Sequence, residues 1–167
     1  MNTLKEIKDT TTSDDATLKI REASRAICFD ENNLVPLLFV SKYNYHKLPG
    51  GGIDKTENKE QALKRECREE IGSEIEVQGE VGKIIEFRSK WDLKQISYCY
   101  YGMITSKGEP DFTEKELSQG FQIVWLPLEE AISTIENDTP KDYEGSFIQK
   151  RDLEFLKKAE QILQEKK

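Results

Sequence analysis

The sequence has few of the residues that thiolate metal sites, disulfide frameworks and membrane spans require. It contains one histidine, His46, and three cysteines, none of them in a CxxC arrangement. An odd, scattered set of cysteines argues against a disulfide framework and against a zinc site. No apolar run approaches the roughly 20 residues of a membrane-spanning helix, and residues 1–15 lack the apolar segment of a signal peptide. We therefore expect a reduced, cytoplasmic protein with a structural His46.

Positive charge is also scarce, with 25 Lys and Arg against 32 Asp and Glu, a net charge of −7. Polymeric DNA or RNA is bound by basic surfaces, so this balance disfavours a nucleic-acid partner. A small nucleotide stays compatible with it, because a bound metal ion supplies positive charge locally. The chain is 167 residues long, 36% hydrophobic and 34% charged, which predicts a single polar globular domain over residues 1–167.

What the sequence does contain is a glycine-rich turn that leads into an acidic helix, at residues 50–73 (GGGIDKTENKEQALKRECREEIGS). Glycines allow the backbone to approach a ligand closely. Glu66, Glu69 and Glu70 recur at i, i+3 and i+4, so their carboxylates share one helix face and repel one another unless a cation lies between them. The simplest ligands are Mg²⁺ or Mn²⁺ and a phosphate chain. The alternative is a helix with a merely solvated acidic face.

The helix itself is predicted over residues 59–71. Asn58 is the expected N-cap, Gln61 completes a capping box, and Gly72 supplies a left-handed C-cap. A separate apolar stripe at i, i+4 and i+8 is expected to face the core: Leu63, Cys67 and Ile71.

The rest of the chain predicts a mixed set of strands and helices. Strands are expected at residues 18–29, 34–43, 75–77, 81–87, 95–103 and 121–125, and helices after Pro127, at the N1 position, and from about residue 146. The first two strands flank a turn at residues 30–33 and are predicted to pair as a hairpin. Residues 1–16 form either a mobile tail or, through Leu4 and Ile7, an edge strand.

The spacing within residues 51–73 resembles the Nudix box of the Nudix hydrolase family (MutT-like). Gly51 is followed by five residues, Glu57, seven residues and then the run R-E-C-R-E-E-I-G-S, against the family pattern G-x5-E-x7-R-E-U-x-E-E-x-G-U, where U is aliphatic. The charged and glycine positions match, while Cys67 and Ser73 occupy aliphatic positions. The resemblance implies an α+β fold, an α/β/α sandwich with a mixed central sheet and a C-terminal helix.

The resemblance also implies metal-dependent hydrolysis of a nucleoside diphosphate linked to another moiety. Mg²⁺ prefers oxygen ligands, and the expected metal ligands are Gly50 (through its carbonyl), Glu66, Glu69 and Glu70. Arg65 is expected to orient a glutamate by ion pairing, with Glu57 as its partner. The base that deprotonates water is either Glu66 or a later glutamate, where Glu116 is better placed than Glu114. Glu116 is alternatively a further metal ligand.

The substrate is left open by this motif, since surrounding loops select it. Candidate substrate contacts are Gly51, Gly52, Tyr43, Tyr45, Arg88, Trp91 and Phe112. Tyr43 and Tyr45 either stack on a base or ribose or pack at the sheet edge. Because family members often form dimers, a homodimer interface is the other location for some of these side chains. The competing functions are a non-catalytic nucleotide-binding or regulatory module and an isomerase on the same fold.

Overall fold

The computed structural model of the chain describes residues 1–9 and 17–167. Within these residues the strands are β1 (Thr3–Lys8), β2 (Lys19–Phe29), β3 (Leu34–Val40), β4 (Tyr45–Lys47), β5 (Gly50–Gly52), β6 (Ser73–Arg88), β7 (Leu93–Lys107) and β8 (Phe121–Pro127). The α-helices are α1 (Lys59–Ile71), α2 (Glu114–Ser118), α3 (Leu128–Glu136) and α4 (Tyr143–Glu165). None of the helices in the described residues is long and apolar enough to cross a membrane.

The strands form two sheets, one of five strands in the order β1-β6-β7-β2-β5 and one of three in the order β4-β3-β8. The larger sheet is mixed: β1 runs parallel to β6 and β2 parallel to β7, while β6–β7 and β2–β5 are antiparallel. The smaller sheet is antiparallel throughout. The predicted mixed α+β architecture with a C-terminal helix is therefore confirmed.

The predicted hairpin between the first two strands is wrong. β2 pairs with β5 and β7, whereas β3 pairs with β4 and β8 in the other sheet. The turn itself is present, because Asp30 Oδ1 accepts the backbone N–H groups of Asn32 and Leu34 at 2.9 and 2.8 Å. It passes the chain from one sheet to the other.

At the N-terminus the edge-strand alternative is correct and the tail prediction is wrong for residues 3–8. Ile7 is buried in the main core and Leu4 packs against it, so β1 adds to the edge of the sheet beside β6. Residues 10–16 of the predicted tail lie outside the described part of the chain. The two strands predicted at 75–77 and 81–87 are one strand, β6, interrupted by register shifts.

Two helix starts differ from the prediction. Asp142 Oδ1 accepts the Gly145 N–H at 3.0 Å, and this N-cap begins α4 at Tyr143 instead of near residue 146. Pro127 is predicted at position N1 of the second helix start. It is instead the last residue of β8 and the N-cap of α3, so this helix begins at Leu128. The apolar face of α4 packs on the larger sheet, with Phe155, Leu156 and Ala159 fully buried.

Helix α1 forms as its sequence predicts. Asn58 Oδ1 accepts the Gln61 N–H at 2.8 Å, Gln61 Oε1 accepts the Asn58 N–H at 2.9 Å, and Gly72 is left-handed with φ +64°. The stripe Leu63, Cys67 and Ile71 is buried against Ala26, Cys28, Leu38 and Ile75. This packing turns the other face of α1, with its carboxylates, toward β5.

Candidate active site

The glycine strand β5 lies between β2 and the acidic face of α1. β5 pairs antiparallel with β2, placing Gly50 opposite Arg25. Gly50 has φ +144°, and a Cβ there would collide with the Ser24 carbonyl. A Cβ on Gly51 would collide with the Glu66 carboxylate. Glycine at both positions therefore lets the backbone lie directly against the helix carboxylates.

Glu70 is the most deeply buried carboxylate of the motif, with 1% of the residue exposed. Its Oε1 accepts the Gly50 N–H at 2.8 Å. Its Oε2 lies 3.3 Å from the Lys47 ammonium yet has no hydrogen-bond partner of good geometry among the described residues. Burial raises the pKa of Glu70 to about 7, with Glu66 adding to the shift and Lys47 opposing it. This oxygen is therefore available as a ligand for a metal cation.

Arg65 joins the glycine strand to the outer glutamates of α1. Its guanidinium binds Glu57 through two hydrogen bonds of 3.0 and 2.6 Å, and this contact lowers the pKa of Glu57. The same group donates to the Gly52 carbonyl at 3.0 Å, to Glu66 at 2.9 Å and to Glu69 at 3.4 Å. The structure thus brings Arg65 and its expected partner Glu57 together and fixes where Glu66 lies.

Glu116 reaches the same region from a different element. It is the N3 residue of α2, where its Oε1 accepts the Thr113 N–H at 2.9 Å in a capping box. It lines one cleft with Glu66 and Glu70. Partial burial, together with Glu66 and Glu116, raises the pKa of Glu69. Glu114, on the same short helix, does not line this cleft.

The donor set fits a hard divalent cation, although the carboxylates are not gathered around one point. Among the described residues no three His, Cys, Asp or Glu side chains converge closely enough to hold a metal ion. Glu66 and Glu69 are turned toward Arg65, whereas Oε2 of Glu70 is ion-paired with Lys47 at 3.3 Å and accepts no hydrogen bond from the described residues. Rotation of Glu66 and Glu69 away from Arg65 would complete an all-oxygen set of the kind Mg²⁺ prefers.

The site cleft has a volume of about 230 Å³ and combines charges of both signs. Its charged lining residues are Arg21, Arg25, Lys47, Lys115, Glu66, Glu70, Glu116 and Glu144, and its glycines are Gly50, Gly51 and Gly52. A larger cleft of about 590 Å³ lies between the larger sheet, α3 and α4. Its lining includes Phe29, Tyr101 and Leu163 together with polar side chains, and none of the motif residues.

The predicted substrate contacts divide into two groups. Gly51, Gly52 and Tyr45 line the site cleft. Tyr45 is 4% exposed and packs with Val40 and Ile148, which is the packing arrangement foreseen for it.

Four other candidates lie away from the site cleft. Arg88 is 2% exposed and donates to Glu86 at 2.8 Å beneath Trp91, which is exposed on the turn between β6 and β7. The Tyr43 carbonyl accepts the Lys141 N–H at 2.9 Å. Phe112 packs edge-to-face on Phe121, with ring centroids 5.8 Å apart.

The lone histidine has structural contacts. His46 lies 4.6 Å from the Phe39 ring in a stacked arrangement. Its backbone N–H and its ring Nδ1 both contact the Asp138 carboxylate, at 2.6 and 2.9 Å. These contacts tie β4 to the segment that follows α3, as expected for a structural histidine.

Two residues at the cleft, Arg21 and Arg25, were missed by the sequence reasoning. Arg25 Nη1 donates to the Gly50 carbonyl at 2.8 Å, so this expected metal ligand already accepts one hydrogen bond. Burial, aided by the neighbouring Arg151, lowers the pKa of Arg25 to about 10. The available signal was their four-residue spacing, which places both on one face of β2.

The fold and the glycine–carboxylate site together are those of a pyrophosphohydrolase. The family model described as the NUDIX domain matches residues 19–146, and the chain belongs to the Nudix family. It is a Nudix-type pyrophosphohydrolase that acts on derivatives of nucleoside diphosphates. No curated protein sequence matches the chain.

Three solved structures resemble the fold. A NUDIX hydrolase from Nitrosomonas europaea has a TM-score of 0.55 at 15% identity, covering 70% of this chain and 78% of its own. A MutT NUDIX hydrolase from Burkholderia pseudomallei has a TM-score of 0.53 at 18% identity, covering 80% and 98%. The E. coli ORF135 protein has a TM-score of 0.50 at 22% identity, covering 71% and 81%. At these identities the likeness concerns the fold.

Proposed function

We propose that the chain hydrolyses the phosphoanhydride bond of a nucleoside diphosphate linked to another moiety, and that it requires Mg²⁺ or Mn²⁺. The observation that carries this proposal is the buried Oε2 of Glu70, which lies beside Glu66 and Glu116 in a cleft bordered by the glycine strand. It is ion-paired with Lys47 at 3.3 Å but has no hydrogen-bond partner among the described residues. Ionising a buried carboxyl group with so few partners is costly, and a divalent cation bound to it would offset that cost.

The residues that would hold the cation are Glu66, Glu69 and Glu70, with the Gly50 carbonyl able to contribute its second lone pair. When bound, a divalent cation neutralises phosphate oxygens and makes water a better nucleophile. Arg65 holds the outer carboxylates close to Gly52, and its bidentate contact with Glu57 keeps the guanidinium in place.

Glu116 is the general base in this proposal, and Glu66 is a metal ligand. Glu66 is ion-paired with Arg65 at 2.9 Å, so the guanidinium occupies one of its oxygens. Glu116 makes no ion pair among the described side chains, and its Oε1 is fixed by the Thr113 N–H. A carboxylate held on a separate element can accept a proton from water while the α1 carboxylates hold the cation.

Four further proposals concern the location, domain organisation, nucleic-acid binding and assembly of the chain. We place the chain in the cytoplasm, which agrees with Cys28, Cys67 and Cys99 being free thiols. We also propose one domain over residues 1–167, no polymeric nucleic-acid partner, and a homodimer as the assembly to test by light scattering.

The test is a Mg²⁺-dependent hydrolysis screen across oxidised nucleoside triphosphates, dinucleoside polyphosphates, nucleotide sugars and ADP-ribose, with products identified to locate the cleaved bond. Glu69→Gln is expected to lower the rate on the best substrate by about 100-fold or more. Glu76→Gln, an exposed residue on β6, makes the same charge change and is the control. Absence of turnover on every substrate, or an unchanged rate for Glu69→Gln, would exclude this function and favour a binding module.

A further inference from the structure

Lys47 brings a cation of the chain itself to Glu70. It is the last residue of β4 in the smaller sheet, and it lines the site cleft together with Glu70. The ammonium Nζ lies 3.3 Å from Glu70 Oε2, the oxygen that accepts no hydrogen bond from the described residues. The Lys47 side chain is 13% exposed and the Glu70 side chain 1%, so water and salt screen this ion pair less than a surface pair.

The backbone on both sides of Lys47 is held by carboxylates of other segments. The His46 N–H donates to Asp138 Oδ2 at 2.6 Å. The Leu48 N–H donates to Asp152 Oδ2 at 2.8 Å, and both groups of this second bond are buried. Because these bonds fix the chain before and after Lys47, the ammonium can leave Glu70 only by rotation of its own side chain.

The carboxylates of α1 therefore have two different counter-ions within the chain. Arg65 donates to Glu66 at 2.9 Å and to Glu69 at 3.4 Å, and the Glu69 side chain is 41% exposed. The ion pair of Lys47 with Glu70 is instead enclosed, and it joins α1 to a strand of the other sheet. A divalent cation that binds Glu70 thus competes with a tethered ammonium group and not only with water.

We propose that Lys47 is a built-in competitor of the divalent cation at Glu70, and that it sets how tightly the site binds the metal. This inference deepens the proposed function and rests on its metal requirement. An ammonium group and a divalent cation at one buried carboxylate repel each other, so the cation binds at the expense of the ion pair. Loss of the Lys47 charge therefore tightens cation binding, whereas loss of a metal ligand weakens it.

The test is Mn²⁺ binding to protein freed of metal with EDTA and desalted, measured by the electron paramagnetic resonance signal of the free aqueous ion. At about pH 8.5, protonation of the ligands competes least with the cation. Lys47→Met is expected to lower the Kd for Mn²⁺ about tenfold. Lys47→Arg keeps the charge and is expected to stay within about threefold of the unchanged protein.

Lys64→Met is the matched control, because it removes an ion pair with Glu60 from the outer face of α1, and its Kd is also expected to stay within about threefold. Failure to fold weakens metal binding, so it cannot produce the tighter binding expected of Lys47→Met. A Kd for Lys47→Met that is raised, or that lies within about threefold of the unchanged protein, overturns the proposal.

Thermal melts give a second measurement, with Lys47→Gln as the replacement if Lys47→Met does not fold. In EDTA either variant is expected to melt at a lower temperature than the unchanged protein, because Glu70 has lost its counter-ion. Added Mg²⁺ is expected to raise the melting temperature of the variant more than that of the unchanged protein, because stabilisation by a ligand grows with affinity. An equal or smaller rise contradicts the proposal.

Turnover separates this inference from the proposed function. On the best substrate of the screen, Lys47→Met is expected to lower the Mg²⁺ concentration that gives half the maximal rate about tenfold. If Mn²⁺ binds more tightly to Lys47→Met and no nucleotide is cleaved, the competition stands and the hydrolase proposal fails. If nucleotides are cleaved and Lys47→Met binds Mn²⁺ as the unchanged protein does, the competition alone fails. If neither protein binds Mn²⁺, both fail.

Discussion

Glu70 is the most deeply buried of the proposed carboxylate ligands. One of its oxygens accepts the Gly50 N–H and the other is ion-paired with Lys47 at 3.3 Å, and its pKa is raised to about 7 chiefly by burial. A carboxyl group in such a place is neutral in the metal-free protein at low pH and is charged only where a cation or a higher pH demands it. Cation binding must therefore displace a proton from this residue near neutral pH.

This raised pKa predicts how the stability of the metal-free protein depends on pH. The folded protein binds the Glu70 proton more tightly than the unfolded chain does, so the free energy of unfolding falls as pH rises from about 4.5 to about 7 and stays low above it. The loss from this residue amounts to at most about 3 kcal/mol. Glu70→Gln, which keeps the acceptor for Gly50, is expected to be more stable than the unchanged protein at about pH 8 and to lack this loss.

Urea unfolding in EDTA at about pH 5 and about pH 8 measures the effect, since the difference between the two proteins isolates Glu70 from every other titrating group. Parallel pH profiles for Glu70→Gln and the unchanged protein would contradict it. Added Mg²⁺ is expected to restore stability to the unchanged protein at the higher pH and to have little effect on the variant.

At the scale of elements, α1 could be predicted in detail because its signals are local. Its cap residues, its buried stripe and its acidic face all lie within one short stretch, and each follows from helical periodicity. Even the departure at Ser73 is explained locally: Ser73 is buried with its hydroxyl bound to the Ile71 carbonyl, and Ile75 packs in the cluster below α1. The predicted ion pair of Arg65 with Glu57 lies within the same stretch.

The glycine strand predicts distinct effects for two neighbouring substitutions. In Gly51→Ala the new Cβ displaces the Glu66 carboxylate, whereas in Gly52→Ala it presses on the Arg21 guanidinium. Both neighbours are ends of flexible side chains, so the melting temperature is expected to change little. Gly51→Ala is expected to lower kcat by about 10- to 100-fold, since Glu66 is misplaced, and Gly52→Ala, which leaves Glu66 in place, is expected to lower kcat by less.

Steady-state kinetics on the best substrate, with thermal melts of both variants, tests this pair, and each variant is the control for the other. Equal effects of the two substitutions on kcat and KM would contradict the assignment of Glu66 and Arg21 as the side chains that the two new Cβ atoms displace.

At the scale of the whole molecule, the contacts that could not be predicted from the sequence are those between segments far apart in the chain. A turn follows β2 as it would in a hairpin, yet the pairing of β2 with β7 joins residues 74 positions apart, such as Arg21 and Gln95. The role of Arg25 is hidden in the same way, because its partner, the Gly50 carbonyl, lies 25 positions further along the chain. Arg88 looked like a surface contact because its burial beneath Trp91 and beside Glu86 depends on the tertiary fold.

A buried ionic network connects the C-terminal helix to the site. Asp152 on α4 is fully buried, accepts the Leu48 N–H at 2.8 Å just before the glycine strand, and is bound by Arg151 at 2.7 Å. Arg151 in turn reaches Glu86 at 3.3 Å. Asp152→Ala removes one of the two carboxylates that bind Arg151 and leaves the buried Leu48 N–H without its acceptor, and is expected to destabilise the fold by about 3–5 kcal/mol.

Glu154→Ala is the control for Asp152→Ala, because it removes an exposed ion pair with Lys5 two residues further along α4 and is expected to cost less than about 1 kcal/mol. Urea unfolding of both variants makes the comparison. Equal destabilisation by the two substitutions would mean that the network does not anchor α4.

In the proposed function the glycine–carboxylate site cleaves a phosphoanhydride with a divalent cation held by Glu70. The most direct measurement is the rate of product release from the best nucleotide substrate as Mg²⁺ is titrated into EDTA-treated protein, for the unchanged chain and for Glu70→Gln. We expect no rate in EDTA, a saturable rise with Mg²⁺, and a rate at least about 100-fold lower for Glu70→Gln at every concentration. A rate that persists in EDTA, or that is the same for both proteins, would contradict the account.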